Sequence, residues 1–461
     1  MFCQLERLRH CIPASIRHIL SELPSTLDGT YERILQEIHE DNWEYAHRIF
    51  QCLLVASRPL QVEELAEVLT LRFDGGTIPE LEEGWHPEDD EGAVMSTCSS
   101  LITIVKNRRG SRVVQFSHFS VREFLTSTRL ATKEGILRYH ILLQPAHTLL
   151  AQASLGVLLH LDSHVDKNSV EKFPLAHYAA RHWVDHARFE DTSLRVRDGM
   201  ERIFHPRGRH FKIWVWLYDV DDSAPRRTMA AEHPIPPEGT TLHYAALCGF
   251  RTIVEWLVIT HSQDVNAMDR FLMTPLHHVS YRGHLELARF FLERAADVDA
   301  SAGTFGTPLC RAAVGGQLEI AKFLLENGAD VNGQQGGDVT PLHQASVEGH
   351  LEVARLLLLH GADINPRDGS RLTPLARASR SGHQEVVQLL LENGAEVDSL
   401  DSNGWTPLHF ASYMRHLAVE SLLREYGADP NIKNNLGYTP LNIPKYKSWF
   451  QTIKDKIGLS W

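Results

Sequence analysis

From residue 240 to the end, one tetrapeptide returns at an almost constant interval. It reads TTLH at Thr240–His243, TPLH at Thr274–His277, TPLC at Thr307–Cys310 and TPLH at Thr340–His343, then TPLA at Thr373–Ala376, TPLH at Thr406–His409 and TPLN at Thr439–Asn442. Successive threonines lie 34, 33, 33, 33, 33 and 33 residues apart. A fixed period of this size means one supersecondary unit copied along the chain. Such a unit touches only its neighbours and cannot bury its own apolar face, so stacking is obligatory.

The rest of each period has a physical reading. Thr is a good helix N-cap, and Pro is tolerated at the first helical position because no backbone N–H is needed there. The Thr hydroxyl is placed to meet the motif His. About a turn and a half later the chain reverses at Gly, usually followed by His, as at Gly283-His284, Gly349-His350 and Gly382-His383. An apolar run follows, exemplified by Leu318–Asn332, in which Ile320, Phe323 and Leu324 share one helical face. Gly328 ends that helix, and Asp330 and Asn332 turn the chain towards the next hairpin. Period and tetrapeptide together resemble the ankyrin repeat. The pattern predicts six repeats and a terminal cap over 240–461, the cap ending in the amphipathic segment TIKDKIGLSW.

Bulk properties narrow the partner class. The formal charge of −12 disfavours nucleic acid or an anionic membrane surface. No run of about 18 apolar residues is present to span a membrane. The six cysteines are scattered without CxxC spacing, which reads as reduced thiols in a cytoplasmic protein. Histidine is abundant, at 27 residues, but eight belong to the repeats: His243, His277, His343 and His409 in the tetrapeptide, and His284, His350, His383 and His416 after the turn. His182 and His186 stand at metal-compatible helical spacing. Without an acidic or cysteine partner at metal-site spacing, they read as the edge of an amphipathic helix. No cofactor, metal or catalytic constellation is expected.

The first half has another rhythm. Tyr31–Glu40, Trp43–Ala56 and Val62–Leu71 are predicted amphipathic helices, followed by an acidic loop at 80–91 that reads as a solvated insertion. Gly92–Leu101 is predicted helix, Ile102–Val105 and Arg112–Phe116 a hairpin turning at Asn107–Gly110, and Ser120–Leu130 a closing helix. That order is the order of a winged-helix domain, over 30–130. Beyond it, Leu137–Leu161 is expected as a core helix pair, Asn168–Ala187 and Ser193–Phe204 as helices, and Phe211–Tyr218 as a buried aromatic stretch, forming a helical stem over 131–222. Residues 223–239 are a Pro-rich linker. The fold class expected is mostly α.

Specific strings sharpen this reading. LPSTLDGTYERIL (Leu23–Leu35), RPLQVEELAEVL, CSSLITIV (Cys98–Val105) and FSHFSVREFL (Phe116–Leu125) resemble fungal NACHT–ankyrin proteins, signal-transducing NTPases related to NOD-like receptors and vegetative-incompatibility proteins. LAHYAARHWVDHARFE and FKIWVWLYD are similar to that family's helical stem. The resemblance implies that 1–29 is a helical remnant following a nucleotide-binding domain that this chain lacks. No G-x-x-x-x-G-K-[ST] occurs, so no backbone nest and lysine cradle phosphates here. The resemblance further implies a nucleotide-sensing role for a winged-helix His, which matches His118; the plainer reading is a His capping the following helix.

A partner site is expected on the array's concave face. The residue preceding each motif Thr is placed near a hairpin tip: Met273, Gly306, Val339, Leu372, Trp405 and Tyr438, with Trp405 and Tyr438 as candidate anchors. Along the inner helices, Arg311, Gln344, Arg377, Phe410, Arg380 and Tyr413 vary from repeat to repeat, giving a basic-aromatic groove suited to an acidic peptide. The function expected is protein recognition without catalysis, in a signalling protein. The alternative is the regulatory part of a nucleotide switch whose P-loop NTPase is supplied by another chain or a missing upstream exon.

Overall fold

A computed structural model describes residues 27–73, 78–81, 89–98, 100–161, 165–218, 233–234, 237–334 and 336–443. The described chain is mostly α and divides into two compact units, ending and beginning at Pro237 and Glu238. The remnant up to residue 26, most of the acidic loop, most of the Pro-rich linker and the terminal TIKDKIGLSW lie outside the described residues.

In the first unit, α1 (Leu27–Gln36), α2 (Trp43–Val55), α3 (Val62–Leu69) and α4 (Asp90–Cys98) precede the hairpin β3 (Ile102–Lys106)–β4 (Arg112–Phe116) and α5 (Phe119–Leu125). A short pair, β1 (Leu71–Arg72) and β2 (Glu80–Leu81), takes the end of the segment expected to be helical. The wing pairs Ile102 with Phe116 through to Lys106 with Arg112, and Gln61 bridges to Val113 on its other edge. Helices, a two-stranded wing and a third edge segment make this a winged helix. α3 starts where the sequence demands it: the Glu64 carboxylate turns back to accept from the Gln61 N–H, closing a capping box.

The stem departs from expectation in three places. The segment expected as a helix pair is one long helix, α6 (Leu143–His160), after a 3₁₀ stretch at Glu134–Tyr139; Pro145 sits in its first turn, where it breaks nothing. Asn168–Ala187 is interrupted at Pro174 into a short turn of helix and α7 (Ala176–Ala187). Ser193–Phe204 breaks at Val196, leaving α8 (Arg197–Ile203) after the single turn Thr192–Arg195. The aromatic stretch is helix α9 (His210–Leu217), and it is buried as expected: Trp214 meets Trp183 edge-on at 5.2 Å and Phe204 at 5.5 Å, and its indole N–H donates to the Ala180 carbonyl at 2.9 Å.

Among its described residues the second unit contains six helix pairs. The inner helices run Thr241–Cys248, Pro275–Arg282, Pro308–Gly315, Pro341–Glu348, Pro374–Ser381 and Pro407–Met414; the outer ones run Arg251–Ile259, Leu285–Leu292, Leu318–Glu326, Leu351–Leu359, Gln384–Glu392 and Leu417–Glu425. Each inner helix except the second, which has Val279-Ser280, carries a small pair such as Ala312-Ala313 or Ala345-Ser346, all buried except Ser412 in the last, which lets neighbouring helices approach closely.

Two sets of histidines stitch the stack. In the motif His, Nδ1 accepts from the backbone N–H of its own Thr: 3.2 Å for His243, 3.0 Å for His277, 3.1 Å for His343 and for His409. Its Nε2 then donates forward to a carbonyl of the next hairpin: Met273, Gly306, Leu372 and Tyr438, at 2.9–3.0 Å. An amide only donates and a carbonyl only accepts, so each ring is the neutral Nε2–H tautomer. Turn histidines reach the other way, His284, His350, His383 and His416 donating to the carbonyls of Leu247, Val314, Val347 and Arg380 in the preceding repeat. This explains the turn glycine beyond its left-handed φ. A Cβ on Gly349 (φ 79°) would lie 2.5 Å from the His383 Nδ1. Arg415 adopts the same conformation (φ 65°) where the sequence supplies no further turn His.

The two imperfect repeats differ from each other. Cys310 retains a forward link, its thiol donating to the Gly333 carbonyl at 3.3 Å. Ala376 makes no such bond, and the space beside it holds Trp405. Hairpin tips add a backbone ladder, with Gly369 donating to Gly337 at 2.7 Å, Ser402 to Ser370 at 3.0 Å and Asn435 to Asn403 at 3.0 Å.

Burial holds the imidazoles of His243, His277 and His343 down to about 4, from the ordinary 6.5. A folded pKa below the unfolded one means stability that is complete above the unfolded value and is lost as pH falls from 6.5 towards about 4. The urea midpoint of the full chain is expected to fall through that window. His343→Gln, which cannot titrate, should cost about 1–3 kcal/mol at neutral pH. Its deficit against wild type should shrink as pH approaches 4.5, since each titrating group weakens wild type by up to about 1.4 kcal/mol per pH unit. An unchanged deficit at both pH values would disprove the neutral-imidazole account.

Candidate protein-binding surface

Which side chains face the concave side follows from helix geometry. Take the residue four after each motif Thr: Tyr244, His278, Arg311, Gln344, Arg377 and Phe410. These are occupied inside the array. Asp269 accepts from the N–H groups of Phe271 and Met273 with one oxygen, and from His278 Nε2 with the other at 3.0 Å. Asp368 does the same for Ser370 and Leu372 with Oδ1, and its Oδ2 accepts from both Nε–H and Nη2–H of Arg377, at 2.8 and 2.5 Å. The donor at this position, the His278 imidazole or the Arg377 guanidinium, therefore locks the hairpin in front of it. Phe410 is buried, Gln344 is half-buried, and the Arg311 guanidinium lies buried over the Tyr281 and Phe305 rings, at 4.3 and 5.4 Å. Arg377, Phe410 and Arg311 are thus corrected from reading-surface residues to packing and pairing ones.

The residues preceding each Thr are corrected too. Met273 is 0% and Trp405 8% exposed, and Val339, Leu372 and Gly306 are buried; only Tyr438 is half-buried. The backbone carbonyls of Met273, Gly306, Leu372 and Tyr438 are the groups that the motif histidines grip, which fixes this position against the stack. Trp405 packs on its own repeat, 5.0 Å from Phe410 and edge-on to Tyr413 at 5.3 Å, with Leu372 and Ala376 across the interface.

The outward strip is instead the pair of positions seven and eight after Thr from the second repeat to the sixth, Tyr281 and Arg282, Val314 and Gly315, Val347 and Glu348, Arg380 and Ser381, Tyr413 and Met414, all of them half-buried or exposed, whereas Leu247 and Cys248 of the first repeat are buried. Of the residues expected to read a partner, Arg380 and Tyr413 lie on this strip. Tyr281, Arg282 and Met414 were missed, as were the tip residues Phe271, Leu272 and Phe305. A signal was available: positions seven and eight vary in charge and size, whereas the two before them are Ala or Ser in every repeat but for Val279.

In the winged helix, His118 is exposed and caps α5, its Nδ1 2.5 Å from the Ser120 hydroxyl, which in turn lies 2.7 Å from the Tyr31 hydroxyl. His186 is buried; its Nε2 lies 2.9 Å from Tyr178 Oη and its Nδ1 2.9 Å from His147 Nδ1, and burial with the neighbouring His147 lowers it to about 4. His182 instead faces Asp185 at 3.6 Å. No cluster of three or more His, Cys, Asp or Glu suited to a metal occurs among the described residues. No described helix is long and apolar enough to cross a membrane.

Comparison with known proteins agrees with both units. Ankyrin repeats match in three copies over residues 242–335, 302–368 and 342–434, and the winged-helix domain of GPI inositol-deacylase matches 31–136. The azaphilone pigments biosynthesis cluster protein L of Monascus ruber is 31% identical over 293 residues, 60% of this chain and 61% of that one. Vegetative incompatibility protein HET-E-1 of Podospora anserina is 32% identical over 117 residues, 24% of this chain and 8% of that one. The chain therefore spans under two thirds of either relative. The human ASB11 ankyrin repeat domain aligns at 31% identity, covering 45% of this chain and 93% of that one, with a TM-score of 0.41. The chain carries a winged-helix domain and ankyrin repeats, and its relatives include fungal proteins.

Because Trp405 fills the interface beside Ala376, Trp405→Ala should act on stability. A loss of about 3–5 kcal/mol in denaturant unfolding is expected. A stable variant with only a binding defect would restore the anchor reading.

Proposed function

We propose that this chain is a protein-recognition scaffold, the ankyrin docking arm of a fungal NACHT-type signalling protein, acting without catalysis of its own. The observation that carries the reading is the contrast within each inner helix. The tetrapeptide and the residues five and six positions after its Thr repeat with little change, while the outward strip reads Tyr281-Arg282, Val314-Gly315, Val347-Glu348, Arg380-Ser381 and Tyr413-Met414, varying in charge and size. An exposed or half-buried surface that is non-repeating in chemistry is what selective recognition requires. The winged helix and the two fungal relatives support the signalling setting. The test replaces Tyr281, Val314, Val347, Arg380 and Tyr413 together by Ala and compares partner capture by wild type and variant in the source organism. Loss of specific partners with an unchanged circular dichroism spectrum is expected. Identical capture by a folded variant would sink the scaffold reading.

A second reading rests on His118. It is the regulatory part of a nucleotide-dependent switch whose P-loop NTPase comes from another polypeptide. In its favour, the His118 ring is exposed at the mouth of α5, held in place by Ser120 and Tyr31 rather than buried as a core cap. Under it, ADP affinity of a P-loop-bearing relative should rise on adding this chain and return to baseline with His118→Ala. No change on adding wild type removes this reading.

A further inference from the structure

We infer that the free edge of the wing, with the basic turn at its tip, receives an extended segment of a partner protein that leads with carboxylates and continues in β-branched residues. The site lies wholly within the first unit and does not depend on the scaffold reading of the array.

The edge follows from the pairing of the wing. β3 and β4 form a two-stranded sheet. The other side of β4 is closed by the Gln61–Val113 bridge and by the Val114 N–H, which donates to the Leu60 carbonyl at 3.0 Å. β3 is therefore the outer strand. The Ser117 N–H donates to the Leu101 carbonyl and the Asn107 N–H to the Ser111 carbonyl, both at 2.9 Å. Hydrogen-bonded pairs alternate along an antiparallel ladder, so Thr103 and Val105 face β4, while Ile104 and Lys106 turn their N–H and C=O outward. Among the described residues no backbone group pairs with those outward groups. Sheet edges are commonly blunted by Pro, a bulge or an inward-pointing charge. β3 reads Ile-Thr-Ile-Val-Lys in continuous register, with one Lys at its end and with Thr103, Ile104 and Val105 half-buried. An added strand gains main-chain hydrogen bonds here and packs its side chains beside these three.

Charge selects the occupant. From Gly92 to Arg122 the sequence holds Lys106, Arg108, Arg109, Arg112 and Arg122 and no carboxylate, in a chain of net charge −12. Arg112 is paired, with Glu63 and Glu91 at 2.8 Å each. Lys106, Arg108 and Arg109 are exposed, and no ion pair to them occurs among the described residues. The turn that carries them is held from within: the Asn107 carboxamide accepts from the N–H groups of Arg109 at 2.9 Å and Ser111 at 3.1 Å, and Gly110 supplies φ 85°. A Cβ on Gly110 would meet nothing within 4 Å, so the tip stands clear of its described surroundings. A preordered cationic tip steers an anionic segment and spends little on ordering its own backbone. These cations sit at the C-terminal end of β3. An antiparallel partner strand, the more stable arrangement per residue, meets them first and the β-branched edge second. Duplex nucleic acid fits less well, because its phosphates would also meet Glu63 and Glu91 beside the wing.

The experiment uses the full chain and fluorescein-labelled probes in anisotropy titrations. The probes are a short peptide of several Glu followed by alternating Val and Thr, its Lys-headed counterpart, two versions N-methylated at alternate amides, and a short DNA duplex. The Glu-headed peptide is expected to bind, and to weaken with added salt. Only every second amide of a strand faces its neighbour, so one N-methylated version should bind with it and the other about tenfold more weakly. Arg108→Glu combined with Arg109→Glu should reduce affinity about tenfold, equivalent to about 1.4 kcal/mol, while Lys322→Glu, in the other unit, changes it less than about twofold. Ile104→Pro removes an outward N–H and no wing hydrogen bond, and should abolish binding. Circular dichroism and the urea midpoint report that each variant is folded; if Ile104→Pro is not, the tip double substitution and the N-methylated pair decide. Absence of binding, equal binding of the Lys-headed peptide, equal affinity of the two N-methylated versions, preference for the duplex, or an equal loss from Lys322→Glu would each overturn the inference. So would a chain that sediments as a dimer and becomes monomeric with Ile104→Pro, since a second copy would then occupy the edge. If the multiple-alanine variant of the array loses its partners while the Glu-headed peptide fails to bind, the scaffold reading survives and this inference alone falls.

Discussion

A neutral imidazole holds the array together. Each motif His uses one nitrogen to close the cap of its own helix and the other to grip the next hairpin, so local and inter-repeat structure share one side chain. A single helix pair buries too little to fold alone, and this shared group makes the formation of one repeat favour that of the next. The turn histidines repeat the arrangement in the opposite direction along the stack. The Nδ1 contact requires the unprotonated ring, while the Nε2–H donation does not; burial is the main cause of the low pKa, and the carbonyl that accepts from Nε2 opposes it. Where the motif His is absent, the two solutions differ: a thiol still reaches a carbonyl at Cys310, while at Ala376 the contact becomes apolar packing around Trp405.

The winged-helix unit is joined to its stem by buried polar contacts. Glu67 is buried in α3 and accepts from the Leu175 N–H at the start of α7 at 2.6 Å; burial raises its carboxyl to about 7. Tyr178 accepts from the Ser57 N–H at 3.2 Å and lies under the Arg58 guanidinium, which is paired in turn with Glu64. These contacts fix direction as well as proximity, since each needs one donor facing one acceptor. They show why the RPLQVEEL and LAHYAARHW strings, distant in sequence, behave as one structural feature.

Much of the architecture was legible in the sequence because it rests on local rules. Period, N-cap Thr, first-turn Pro and left-handed Gly each fix backbone conformation within a few residues, and the predicted wing strands Ile102–Val105 and Arg112–Phe116 lie where the structure has them. The stem was read less well. Helical periodicity ran across Pro174 and Val196, where the chain breaks, because periodicity reports a shared buried face and not continuity of the hydrogen-bond ladder. The binding surface was half legible. Position counting identified the inner helices, but it assigned Arg377 and Trp405 to solvent, since nothing local reveals that Asp368 lies against one and Ala376 beside the other.

The sequence by itself therefore determined what is repeated: the unit, its length, its caps and its need to stack, all consequences of short-range conformational preference and burial. Tertiary structure decided what is displayed. Whether Arg311 reads a partner or lies over the Tyr281 ring, and whether Trp405 is an anchor or fills the interface against Leu372 and Ala376, depends on side chains contributed by the preceding repeat. Stacking brings those groups together, and only there does burial separate residues that hold the array from those it presents.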